Sequence, residues 1–448
     1  MGKGGSVGLG RTLVLTTTVW LVGLGAVGGG GAALSAEEVT LQDSTLRVSV
    51  SSSGLQAHGS SFDPALSANG RYVAFYSAAS NLVAGDTNGV FDVFVRDRTN
   101  GVTRRVSVSS SGLQANRGSL DPSISADGRY VAFSSQSSRL VAGDTNGRTD
   151  VFVRDRMNHV TRRVSVSSNG SQVRKGSFVP SISADGRYVA FFSRASHLVA
   201  GDTNSADDVF VRDRKNHITR RVSVSSSGLQ SNARSDDPSI SAHGRYVAFT
   251  SLASNLVAGD TNGSYDVFVR DRKNHVSSQV SVSLSGLPAD GFSSEPSVSS
   301  GGRYVAFTSF ASNLVAEDTN GSYDVFVRDR VNGVTSLVSV SSDGLQANLK
   351  SGNPSISAHG RYVAFYSYAS NLVAEDTNGT YDVFVRDGAN GATSLASVSS
   401  AGLAADGLSG EPSISADGRS LAFTSEASNL VAGDTNSAYD VFVRDPWN

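Results

Sequence analysis

Apolar and polar residues alternate along this chain in short bursts, and the bursts return at a fixed interval. Arg129 to Ser134 sets Val131 and Phe133 on one side and Tyr130 and Ala132 on the other. Asp150 to Arg154 sets Val151 and Val153 against Phe152, and Arg163 to Ser168 alternates Val with Ser. Alternation of period two over five or six residues predicts strands. Pro122 to Ser125 predicts a short strand before them, ended by the turn Ala126-Asp127-Gly128. No segment sustains a helical period. The pattern predicts four antiparallel strands.

These four strands recur. Gly-Arg-Tyr-Val-Ala-Phe starts at Gly70, Gly128, Gly186, Gly244, Gly302 and Gly360, and in altered form at Gly418, always 58 residues apart. Asp-Val-Phe-Val-Arg-Asp keeps the same period from Asp92 to Asp440. Immunoglobulin-like beads need about 100 residues each and leucine-rich solenoid coils about 20–29, whereas propeller blades take four strands in about 40–50. The expected fold is all-β, a seven-bladed β-propeller over residues 47–448. The last unit ends after its third strand, and an unused fourth strand, Arg47 to Ser52, precedes the first. The N-terminal strand is therefore expected to complete the last blade and cover an edge that would otherwise pair with other chains.

Pro-Ser-Ile-Ser-Ala-Asp-Gly-Arg-Tyr-Val-Ala-Phe followed by Asp-Val-Phe-Val-Arg-Asp resembles the PD40 (TolB-like, WD40-like) propeller repeat. The resemblance spans residues 47–448 and implies architecture and an exported setting. The additional α/β domain of TolB and the hydrolase domain of propeller peptidases lie outside it, so their functions do not transfer.

The N-terminus supports export. Lys3 and Arg11 precede an apolar stretch from Leu13 to Val27, then small residues from Ala32 to Ala36 and the pair Glu37-Glu38. This is the pattern of a signal peptide over 1–36, with a short linker at 37–46. A retained anchor is the competing reading, since the apolar run approaches spanning length. The mature protein is expected to be secreted or periplasmic, without a membrane span. The sequence holds no Cys, which removes disulfides, thiolate metal sites and lipoprotein attachment. A net charge of −2 and a pI near 6.4 argue against nucleic acid as partner.

The long loops between second and third strands, and between blades, share one face, where binding sites concentrate. Asp-Thr-Asn-Gly-x-x-Asp in the first of these loops spaces oxygens around a turn as calcium loops do. The expected metal positions are Asp86, Asn88 and Asp92; Asp144, Asn146 and Asp150; Asp260, Asn262 and Asp266; Asp318, Asn320 and Asp324; and Asp376, Asn378 and Asp382. Ser205 and Ser437 replace the Gly in the other two units. Three side chains fall short of the usual 6–8 oxygens, and an Asx-turn is the competing reading. A second candidate is a ring at the channel mouth, Asp63, Asp121, Asp237, Glu295, Asn353 and Glu411, with Val179 in the third unit. Such a ring would capture a cationic ligand or basic peptide, and local turn capping is its plainer alternative. The interblade loops also vary, as in Ala57-His58-Gly59, Ala115-Asn116-Arg117 and Val173-Arg174-Lys175, which suits partner recognition or neutral drift.

Catalysis needs a unique constellation, whereas the histidines follow the repeat. His159, His217 and His275 share one turn position, and His243 and His359 share another. The expectation is a monomeric, non-catalytic scaffold that binds a protein or cell-envelope ligand through the long-loop face, without a required cofactor. A propeller-type hydrolase or lyase at the channel mouth is the alternative, and a purely structural surface protein is a third.

Overall fold

The computed structural model describes residues 44–316 and 318–446. The signal peptide expected at 1–36, and the linker up to 43, lie outside the described residues. Seven four-stranded antiparallel sheets form the blades of a propeller. In blade 1 the strands run, from the axis outward, Ser61–Leu66, Tyr72–Ser77, Asp92–Asp97 and Val102–Arg105. Blades 2 to 6 repeat this pattern at the same spacing.

The chain closes on itself. Ser44–Arg47 pairs antiparallel with Asp440–Asp445, in the register Ser44 to Asp445 and Arg47 to Phe442, and forms the outer strand of blade 7. This strand lies upstream of the expected Arg47 to Ser52, and every outer strand shifts likewise, as with Val160–Arg163 in blade 2. The Val-Ser-Val-Ser alternation marks the segment that leaves the blade. There Val48 and Ser49 both direct their N–H to the carbonyl of Val441, and Ser49 buries its hydroxyl on Asp440.

The alternation explains the stacking. Each blade turns a small face, such as Ala74, Val93 and Val95, toward an aromatic face of the next blade, Val131, Phe133 and Phe152. Phe133 and Phe152 lie side by side with centroids 5.9 Å apart, and both are fully buried. Seven such clusters replace one central core.

Gly128 shows why the turn sequence is fixed. Its φ is +71°, and a Cβ there would meet the Tyr72 ring of the preceding blade at 2.1 Å. That ring sits between the guanidinium groups of Arg71 and Arg156, at 4.8 and 4.6 Å. Around the axis, the backbone N–H of Ala68 donates to the carbonyl of Ala126, Ala126 to Ala184, Ala184 to Ala242, and so on through Ser300 and Ala358, until Ala416 returns to Ala68. This closed circle of seven hydrogen bonds ties the blades together at the short-turn end.

Candidate functional site at the channel mouth

At the other end of the axis the inner strands share a deformation. Each register slips where one residue bulges, between Phe62 and Ala65 in blade 1. The bulged residues are Asp63, Asp121, Val179, Asp237, Glu295, Asn353 and Glu411, all with φ between +47° and +54°. The candidate ring thus coincides with seven strained positions, uncommon for residues other than glycine. In four of the blades the bulged N–H meets a carboxylate of the preceding blade. Glu411 Oε2 accepts the N–H of Asp63 at 2.8 Å, and Glu295 Oε2 accepts that of Asn353 at 2.7 Å. Asp121 and Asp237 likewise accept the N–H of Val179 and Glu295. The turn-capping alternative therefore takes a different form: the acids cap the bulge of the neighbouring blade.

Burial raises the proton affinity of three aspartates of the ring. Burial lifts the Asp63 carboxyl well above its usual range, and the charges of Glu411 and Asp121 push it further. Burial, then Glu295 and Asp236, push Asp237 up to about 7. Burial raises Asp121 as well.

Around this ring lies an aromatic arc that the sequence reading missed. Tyr265, Phe292, Tyr323 and Phe310 form one run over blades 4 and 5, with neighbouring centroids 5.2–6.1 Å apart. Tyr366, Tyr381 and Tyr368 continue it at 5.1–5.3 Å. Tyr439, Phe62, Tyr76 and Phe91 close it over blades 7 and 1. Lys350 places its ammonium between the Tyr323 and Tyr366 rings, at 5.5 and 5.7 Å. Phe310 and Tyr368 are exposed. A cleft of about 570 Å³ opens here, lined among others by Phe62, Lys350, Tyr366, Tyr381, Glu411 and Tyr439. Flat rings beside carboxylates and one ammonium can stack on a planar or sugar-like ligand and fix its polar groups. A repeat-position comparison would have pointed to the arc, since Tyr76 and Tyr366 stand where most other units carry Ser or Thr.

A larger groove of about 860 Å³ opens between blades 1 and 2, toward the short-turn side. Three of its arginines are engaged internally: Arg129 grips Asp155, Arg154 donates to the Ser109 carbonyl, and Arg156 caps the Gly128 carbonyl.

The Asp-Thr-Asn loops differ from the calcium expectation. Asn88, Asn146, Asn262, Asn320 and Asn378 each donate Nδ2 to the last Asp of the loop, namely Asp92, Asp150, Asp266, Asp324 and Asp382, at 2.6–2.8 Å. Their Oδ1 accepts a backbone N–H two residues on, as in Asn262 with Ser264. These are Asx-turns, so the asparagine oxygens are spent within the loop. In blades 1 and 2 a guanidinium also stands between the carboxylates: Arg105 Nη1 lies 2.9 Å from Asp86 and 3.4 Å from Asp92, and Arg163 Nη1 3.2 Å from Asp144 and 3.5 Å from Asp150. In these two blades a protein cation stands between the carboxylates where an ion was expected. In the variable loops, Ala57, Ala115 and Val173 are core residues, so true variation starts one residue later.

The architecture defines a seven-bladed β-propeller with an acidic, aromatic mouth on its long-loop face. The chain is similar in fold to the solved structure of an oligogalacturonate lyase in complex with manganese, at 10% identity and a TM-score of 0.54, over 91% of this chain and 97% of that one. It is also similar to the β-propeller domain of the Trilobed protease from Pyrococcus furiosus, at 10% identity and a TM-score of 0.51, over 88% and 96%. TolB from Acinetobacter baumannii is 16% identical over 68% of this chain, with a TM-score of 0.39, and the chain spans 61% of its length. No family model and no curated protein matches the sequence. Among the described residues no helix is long and apolar enough to cross a membrane.

Proposed function

We propose that this is an exported PD40-type propeller, monomeric and non-catalytic, that binds a protein or cell-envelope ligand through its long-loop face. The observation that carries the reading is the cleft lined by Phe62, Tyr366, Tyr381 and Tyr439 around Glu411 and Lys350. It gathers the aromatic anchors and few polar groups typical of binding sites, on the face where the loops are long. Glu411, the acid that lines it, is committed to the backbone N–H of Asp63, which suits a rigid rim better than a reacting group.

The second reading, a propeller-type hydrolase or lyase, draws on Asp237. A carboxyl near 7 is poised for general-base work. Turnover assays on a panel of polyuronates, glycosides and peptides separate the two. The binding reading predicts no turnover, or a trace rate that Asp237→Asn leaves unchanged. Turnover that Asp237→Asn abolishes would overturn it.

A further inference from the structure

We propose that blade 4 binds one hard divalent cation between Asp260 and Asp266, at the place that a guanidinium occupies in blades 1, 2, 3 and 7. The sister blades define the place. Arg105, Arg163, Arg221 and Arg47 each set Nη1 within 2.9–3.5 Å of both carboxylates of their loop. A glutamine from the following interblade loop adds a second donor to the first carboxylate in three of these blades: Gln56 to Asp434, Gln172 to Asp144 and Gln230 to Asp202.

Blade 4 has lost both partners. Gln279 stands at the arginine position and Pro288 at the glutamine position. The acids remain: Asp260 is 6% exposed and Asp266 fully buried. Asp266 keeps hydrogen bonds from Ser281 and Asn262. Among the described residues nothing donates a hydrogen bond to Asp260, whose only electrostatic neighbour is the like charge of Asp266. This is an unpartnered carboxylate, more than nine-tenths buried, aimed at a place that four sister blades fill with positive charge. Gln279 buries its amide with the NH2 turned toward Asp266. Rotating that amide by half a turn presents Oε1 instead and completes a set of two carboxylates and one amide oxygen. All are hard oxygen donors of the kind that calcium and magnesium take, with water filling the remaining positions.

Blades 5 and 6 make the contrast. They carry Leu337 and Leu395 at the arginine position, which fill the space with hydrocarbon and offer no oxygen. Asp318 keeps its glutamine, Gln346, at 2.8 Å, and Asp376 accepts the backbone N–H of Asn378. The inference therefore gives one site, where the sequence pattern alone suggested five. It is independent of the binding reading of the channel mouth.

The test is calorimetric titration of the chelator-treated protein with calcium chloride, and separately magnesium chloride, at neutral pH. The expected result is one site with a dissociation constant on the order of 0.1–1 mM, as in extracellular calcium modules, and a melting temperature raised by saturating metal. Gln279→Arg restores the sister-blade arrangement. It is expected to fold, to weaken metal binding at least about tenfold, and to melt in chelator no lower than the parent. Asp260→Asn is expected to lose binding as well. The two metal arms identify which ion the site prefers. Absence of binding by both ions, as when the two acids merely share a proton, would overturn the proposal. So would several equivalent sites, or undiminished binding in Gln279→Arg.

Discussion

Ala416 donates its backbone N–H to the carbonyl of Ala68 at 3.0 Å, and this bond joins the last blade to the first at the axis. At the rim Ser44–Arg47 does the same work by pairing with Asp440–Asp445. The ring is thus closed twice, at its smallest and largest radius. Removing residues up to Arg47 leaves the inner closure but bares the edge of Asp440–Asp445. The expected result is a lower melting temperature and dimers or larger species by light scattering. A monomer that melts like the parent would show that the outer strand is dispensable.

Gly128→Ala is expected to be costly for two reasons at once, the left-handed φ and the clash with Tyr72. Gly147→Ala meets the first alone, because nothing lies within 4 Å of the added methyl. Denaturant unfolding should show a loss of about 1 kcal/mol for Gly147→Ala and a clearly larger loss for Gly128→Ala.

The pH dependence of stability follows from two opposed sets of carboxylates. Asp97, Asp155, Asp213, Asp271 and Asp329 sit near 2, held down by the facing arginine and nearby amide donors. Their stabilisation is present above the ordinary carboxylate range and is lost as pH falls toward 2. Asp260, Asp324 and Asp382 are raised to about 6, chiefly by burial. The folded state binds protons there that the unfolded chain has already released, so stability declines as pH rises from about 4 through 6. In chelator, the melting temperature should peak between about pH 4 and 5. A peak at neutral pH or above would contradict these assignments.

The fold was open to reading because the repeat makes every signal seven times over. The period, the strand count and the closure by the N-terminal strand all agree with the structure. Outer-strand positions did not, because Val48 and Val50 alternate with serine in a segment that bends away to the next blade. The site was harder to read for the opposite reason. Its information sits where units differ, as in Tyr366 against Thr308, or Gln279 against Arg221, and one such difference is weak until the fold sets it beside its neighbours. The ring of acids was visible as a column in the repeat. Its bulge and its chain of carboxylate-to-amide bonds were not, since a positive φ at Asp63 or Glu411 leaves no mark in the sequence.

The most direct test of the account is binding of the purified protein to peptidoglycan and to solubilised envelope protein, measured for the parent and for Tyr366→Ala with Tyr381→Ala. Arg104→Ala, at an exposed site on the outer strand of blade 1, serves as control. The account predicts saturable binding by the parent and the control. The paired tyrosine variant should bind at least about tenfold more weakly and melt at nearly the parent temperature. Equal binding by all three proteins would contradict the assignment of function to the long-loop face.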